Sequence, residues 1–117
     1  MTDRPDSDLA TLAPEDAKLV TLARATRART QAPAGAAVRD LDGRTYAAAQ
    51  VDLPSVRVGA LELAVAMAVS SGARGLEAAL VVADDLPDVA PVRDLAGNGV
   101  PVLLADPAGR VVDRTTT

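Results

Sequence analysis

The apolar residues of this chain are almost all small, and this limits how the chain can build a core. Tyr46 is the only aromatic residue among 117, and both Phe and Trp are absent. Apolar residues still make up 49% of the chain, and they include 25 alanines. A chain of this length buries one core. We therefore predict a single domain over residues 11–117, with a core finely packed from Ala, Val and Leu.

The composition excludes several classes of function. The chain contains no Cys and no His. Zinc sites built from thiolate and imidazole, cysteine nucleophiles, Ser-His triads and disulfides are therefore excluded. One tyrosine cannot form a base-stacking platform. The net charge of -4 argues against a nucleic-acid or anionic-membrane partner, because the protein surfaces that bind these partners are normally basic.

Nothing in the sequence predicts export or a membrane span. Residues 1–10 are polar, carry three Asp and have no apolar stretch, so we predict a flexible segment that is not a signal peptide. The longest apolar stretch, residues 58–69, contains Glu62 and is too short to cross a bilayer. We therefore predict a cytoplasmic protein. The excess of Arg and Ala is typical of a GC-rich, actinobacterial-type genome.

The first half of the domain reads as a helix followed by a hairpin. Pro14 opens a helix with acidic residues in its first turn, and apolar residues recur at helical spacing to about Thr30. Asp42-Gly43 separates two extended runs, which is the strongest short-range signal for a β-hairpin. We predict strands over 34–41 and 44–51.

The second half predicts alternating helices and buried strands. We expect a helix over 56–71 with Ser55 as its N-cap and Gly72 at its end. This helix is apolar nearly all round, so it should lie between the sheet and another layer. The remaining elements are strands at 78–83, 101–106 and 109–113, with a short helix over 88–96. The order α-β-β-α-β-α-β-β predicts an α/β fold, a three-layer α-β-α domain with a mixed five-stranded sheet.

This element order, together with several motifs, resembles the cytidine deaminase family. The family has a Val-Gly-Ala-Ala segment, an Asp-Gly turn, a strand ending Asn-Val-Glu-Asn, and an Ala-rich helix that opens Cys-Ala-Glu or His-Ala-Glu. It continues with a Pro-Cys-x-x-Cys segment and a strand like Pro-Val-Ile-Leu. The matching segments here are Ala34-Gly35-Ala36-Ala37, Asp42-Gly43, Gln50-Val51-Asp52-Leu53, Ala60-Leu61-Glu62, Pro87-Asp88-Val89-Ala90-Pro91 and Pro101-Val102-Leu103-Leu104.

The resemblance implies a zinc site whose ligands this chain lacks. In the family, three Cys or His ligands hold a zinc ion that activates water, and a neighbouring Glu moves protons. Glu62 matches that Glu. The family's base-stacking Phe is replaced by Ala32. The ligand positions depend on the alignment: the first falls on Ala60 or Gly59, and the other two fall on Asp88 and Pro91 or on Val92 and Leu95.

Other polar residues allow both a functional and a structural interpretation. The resemblance places Gln50 and Asp52 where the family binds ribose hydroxyls, but they could also be a solvated strand end. Glu62 could simply be a helix first-turn acid. An acidic cluster, formed by Asp84, Asp85 and Asp88, could hold a hard cation or be a solvated turn. A basic cluster, formed by Arg24, Arg27 and Arg29, could compensate the helix dipole or bind a partner.

We therefore expect a catalytically inactive cytidine deaminase-like protein without a metal or other cofactor. It would act as an interaction or regulatory module, or bind a nucleoside-type ligand weakly. We also expect a homo-oligomer, with an unidentified protein partner as a further possibility. The alternative is an active cytidine deaminase that converts cytidine or deoxycytidine to the uridine product, with metal ligands lent by another chain. An enzyme of another class would have to use Glu62, Asp52 and Asp88.

Overall fold

A five-stranded mixed sheet with helices on both faces organises the chain. This computed structural model describes residues 12–117, so the predicted flexible segment 1–10 lies outside the described residues. The elements are α1 Pro14–Thr30, β1 Gly35–Asp40, β2 Thr45–Ala49, β3 Val51–Leu53, β4 Val56–Val58, α2 Ala60–Ser70, β5 Leu76–Val82, α3 Ala90–Ala96, β6 Pro101–Ala105 and β7 Val111–Thr116.

The strand order of the main sheet is β2-β1-β5-β6-β7. Only β5 and β6 run parallel, and α3 lies in the connection between them, as a parallel crossover requires. The other neighbouring strands pair antiparallel. The predicted α/β class and mixed five-stranded sheet are therefore confirmed, and the element order matches the prediction except for the short strands β3 and β4, which the prediction lacked.

Strand β5 is buried on both faces, as its continuous apolar run predicts. Leu80 and Val82 belong to a core that α1 covers, whereas Ala79 and Val81 belong to the core under α2 and α3. Leu80 and Val82 have no exposed surface, and Val81 is 1% exposed. The sheet thus separates two cores, and β5 contributes to both.

Close packing of α1 on β1 depends on Gly35. A Cβ added at this position would overlap the carbonyl oxygen of Ala23 and lie 2.8 Å from the Cβ of Arg27. Real Cβ atoms do not approach other heavy atoms so closely, so a larger residue would push the helix away from the strand. Gly35 therefore fixes the distance between the first helix and the sheet.

The predicted start of the second helix is wrong. Residues 51–58 form the β3–β4 hairpin, in which Val51 pairs with Val58, and the helix begins only at Ala60. Strand β2 also ends at Ala49, so the predicted strand over 44–51 is too long. The β-branched valines favour extended backbone, and Pro54-Ser55 forms the turn at the hairpin tip. Ser55 is therefore not a helix cap.

The prediction that α2 lies between the sheet and another layer does not hold for its outer face in the single chain. Its inner face packs on the sheet and on α3. On the outer face, Ala66, Met67 and Val69 are exposed, with 38% of Met67 and 53% of Val69 accessible. The exposed tip of the β3–β4 hairpin adds Leu53 and Val56 to the accessible apolar surface.

The remaining predictions hold with shifts at element ends. Helix α1 begins and ends where predicted, and the Asp42-Gly43 turn joins β1 to β2 with Gly43 at φ 84°. Strand β7 is an edge strand and extends three residues beyond its predicted end, to Thr116. In the part of the chain described here, no helix has the length and apolar character needed to cross a membrane.

A buried carboxylate organises the β1–β2 turn. Oδ1 of Asp40 accepts the backbone N–H groups of Asp42 and Arg44, each at 2.9 Å, and Oδ2 accepts the Tyr46 hydroxyl at 2.9 Å. Burial raises the pKa of Asp40, but these hydrogen bonds outweigh it and hold that pKa below its ordinary value. The hydrogen bond to Asp40, together with burial, raises the pKa of Tyr46 above its ordinary value of 10.0.

This pair gives a prediction that absorbance can test, because Tyr46 is the only aromatic chromophore. We expect the tyrosinate absorbance to rise in one step with a midpoint above pH 10.0. The raised pKa means that the interaction stabilises the fold below this range and is lost as pH rises through the folded-state pKa. Asp40→Asn should lower the midpoint, whereas Asp42→Asn, in the same turn, should not. An unchanged midpoint in Asp40→Asn contradicts the assignment.

Candidate functional site

The candidate site is a cavity at the carboxyl end of β5. It has a volume of about 500 Å³ and is bounded by the starts of α2 and α3, by the segment before β1, and by the residue after β2. Open α/β sheets commonly bind ligands at this edge. The lining residues are Pro33, Ala34, Gln50, Gly59, Ala60, Leu61, Glu62, Val81, Ala83, Asp84, Asp85, Leu86, Pro87, Asp88 and Pro91.

Glu62 lies in this cavity but also stabilises the start of α2. Its Oε1 accepts the backbone N–H of Gly59 at 2.6 Å, and the Gly59 carbonyl accepts the N–H of Leu63 at 3.0 Å. The first N–H groups of a helix have no partner within the helix, and a carboxylate there also interacts favourably with the helix dipole. The structural interpretation of Glu62 therefore rests on a definite contact.

One of the two possible alignments of the metal-ligand positions converges on the cavity. Ala60, Asp88 and Pro91 all line it beside Glu62. In the other alignment, Val92 is fully buried in the core under α2, and Leu95 packs against that core. The cavity thus lies where the first alignment places the family's metal site.

The residues present do not fit a zinc ion. The whole chain has no Cys and no His, and Ala60 and Pro91 offer no side-chain donor. Asp88 Oδ1 accepts the N–H of Ala90 at 3.0 Å, and Glu62 is bound to Gly59. Among residues 12–117, no group of three or more His, Cys, Asp or Glu side chains is arranged to hold a metal ion. No reaction step through a metal follows from this arrangement.

The cavity rim is acidic. Asp84, Asp85, Asp88 and Glu62 line the cavity, and the three Asp side chains are exposed. No Lys or Arg among residues 12–117 is a lining residue. Because carboxylates repel anions, the acidic rim disfavours phosphate groups. The charge of the rim therefore favours a neutral or cationic ligand over an anionic one.

The structure brings the two predicted ribose-binding residues to one groove but only one of them to the cavity. Gln50 lines the cavity, and its backbone N–H donates to the Ala34 carbonyl at 3.0 Å. Gln50 and Asp52 both line a neighbouring groove of about 470 Å³, where Asp52 forms an exposed ion pair with Arg57 at 3.4 Å. Asp52 lies outside the cavity because it belongs to the β3–β4 hairpin, which was not predicted from the sequence. The ligand-binding role of both residues stays a prediction.

Sequence reasoning missed the apolar side of the cavity. Pro33, Ala34 and Leu86 line it, and no motif marked them as site residues. Ala32, at the position of the family's stacking Phe, is half-buried and is not a lining residue. Pro33 and Pro87 are a sequence signal for this region, because prolines mark loops and both of these lie in loops that meet at this edge.

The comparisons with known proteins agree with this geometry. A family model described as cytidine deaminase-like matches residues 12–109. The chain belongs to the cytidine deaminase-like family. A comparison with curated protein sequences gives no match.

Solved structures of cytidine deaminases share the fold. The enzyme from Burkholderia pseudomallei superimposes with a TM-score of 0.72 at 23% identity, over 85% of this chain and 90% of that chain. The enzyme from Mycobacterium leprae gives a TM-score of 0.68 at 20% identity, over 90% of this chain and 94% of that chain. At these identities the likeness establishes the fold, and the predicted cytidine deaminase-like architecture is confirmed.

Proposed function

We propose that this protein is a catalytically inactive member of its family that retains the cavity as a weak binding site for a neutral, nucleoside-type ligand. The observation that carries the proposal is the set of side chains beside Glu62. Ala60, Asp88 and Pro91 line the cavity where the family resemblance expects metal ligands. A hydrolytic deaminase needs a metal-activated water, and these residues cannot supply its ligands.

The cavity itself supports binding of small neutral molecules. Its volume of about 500 Å³ is in the range of small-molecule sites. Gln50 offers both a donor and an acceptor, and the prolines and Leu86 supply apolar contacts. Affinity should be low, because Tyr46, the one aromatic residue of the chain, does not line the cavity and cannot stack on a base there.

The alternative function is that of an active cytidine deaminase. It is favoured by one observation, the retention of a glutamate inside the cavity at the start of α2. That route requires metal ligands from another chain, and it requires Glu62 to exchange its bond with Gly59 for a proton-transfer role. A cytoplasmic location fits either function and stays a prediction.

We also propose that the protein associates with itself through the outer face of α2. This helix has Glu62 as its only charged residue, yet Ala66, Met67 and Val69 on its outer face are exposed in the single chain. Exposed apolar helix faces of this kind are commonly interaction surfaces. A second copy supplies an equally apolar face, and a two-fold contact would cover both at once.

The inactive assignment predicts no deamination of cytidine or deoxycytidine above the uncatalysed rate, even with added zinc. The metal-bound hydroxide and its proton-transfer partner act as a unit, so loss of the metal ligands removes most of the catalysis. The ultraviolet absorbance change on conversion to uridine, at high protein concentration, measures this. Zinc-dependent turnover that disappears in Glu62→Ala would establish the active alternative.

The self-association proposal predicts a dimer or larger oligomer by sedimentation equilibrium at about tens of micromolar. Met67→Glu should weaken association by about 10-fold or more, because it buries a charge in the apolar contact. Gln31→Glu changes the net charge equally at the end of α1, which covers the other core of the sheet, and should have no effect. A monomeric wild type, or equal weakening by both variants, contradicts the proposed surface.

A further inference from the structure

A second groove lies on the α1 side of the sheet and has the opposite charge. Its volume is about 310 Å³, and it is lined by one face of α1 together with Val82 at the end of β5 and Pro107 in the β6–β7 turn. It is therefore at the same carboxyl edge of the parallel strand pair as the acidic cavity, which Val81 lines from the other face. Arg24 and Arg27 are its charged lining residues.

The side chain of Arg24 is held in a defined position across the β6–β7 turn. Its Nε donates to the Pro107 carbonyl at 3.0 Å. It also lies directly over Gly109, where an added Cβ would be 3.1 Å from both Cδ and Nη1. Gly109 is buried and has φ 93°. The turn thus leaves room for the Arg24 guanidinium, and its terminal N–H groups can donate hydrogen bonds to a ligand.

Arg27 lies one helical turn away and is half-buried. Its Nε donates to the Pro33 carbonyl at 3.5 Å, and its Cβ lies against Gly35. Neither Arg24 nor Arg27 forms an ion pair with any carboxylate of residues 12–117. The nearby Asp106 accepts the backbone N–H groups of Ala108 and Arg110. Both arginines thus line one groove, and neither has an ion-pair partner among residues 12–117.

We propose that this groove binds a phosphate-type dianion, either free phosphate or the phosphate of a small metabolite. Like charges three residues apart on a helix repel each other, and an anion between them removes that cost. Guanidinium groups held at Nε present their terminal N–H donors as a fork that matches phosphate oxygens. Compensation of the helix dipole does not explain Arg24, which lies before the last turn of α1.

The test follows backbone amide shifts by NMR while the full-length protein is titrated with inorganic phosphate or with ribose 5-phosphate, at constant ionic strength. We expect saturable shifts at residues 21–28 and 108–110, with a dissociation constant of about 1 mM. Tighter binding of ribose 5-phosphate identifies a metabolite as the source, and equal binding identifies free phosphate. Absence of saturation by both probes overturns the proposal, including the case in which only an acidic peptide binds.

Matched variants distinguish binding at this groove from a general effect of positive charge on the protein surface. Arg24→Gln and Arg27→Gln should each weaken binding by about 10-fold, because each removes one fork. Arg29→Gln makes the same charge change in the last turn of α1, outside the groove, and should leave binding within about 2-fold. Arg24→Lys keeps the charge but loses the fork, and it should also weaken binding. Equal effects of all these variants overturn the proposal.

Discussion

The fold depends on the burial of β5 between two cores made of small side chains. Leu80 and Val82 pack toward α1, and Ala79 and Val81 pack toward α2 and α3. With no Phe or Trp to fill space, helices must lie close to the sheet, and Gly35 permits this for α1. Arg39 of β1 links the sheet to α1 through ion pairs, with Asp16 of α1 at 3.2 Å and with Glu77 of β5 at 2.8 Å. The acidic cavity and the groove beside Arg24 and Arg27 both lie at the carboxyl end of β5.

Much of this architecture could be predicted because its signals are local. The apolar run around Val81, the Asp42-Gly43 turn and Pro14 each specify one element without reference to the rest of the chain. The β3–β4 hairpin was missed because Pro54-Ser55 is equally consistent with a helix start and a tight turn. The pairing of Val51 with Val58 joins residues seven positions apart, and no local sequence signal specifies it. The hairpin in turn explains why Asp52 lies outside the cavity.

The cavity lies where the motif alignment places the family's metal site, and the chain has no Cys or His to bind a zinc ion there. Glu62 is in place, but its partner is the Gly59 amide at 2.6 Å, and the neighbouring side chains of Ala60 and Pro91 cannot bind metal. The motif alignment predicted Glu62 and the absence of ligands. It could not predict the acidic rim as a whole, because Asp84, Asp85 and Glu62 are brought together only by the packing of α2 beside β5. A retained glutamate therefore has a sufficient structural role at the start of the helix.

The most direct test of this account is the free energy of unfolding, measured by denaturant titration with and without zinc. The account predicts that Glu62→Ala loses about 0.5–1 kcal/mol through its helix-start contact, and that zinc changes neither protein. Glu15→Ala, which removes a first-turn acid of α1 that has no hydrogen bond to a backbone amide among residues 12–117, serves as the control and should lose less. Stabilisation of the wild type by zinc, by about 2 kcal/mol or more at saturating metal, would show a genuine metal site and contradict the account.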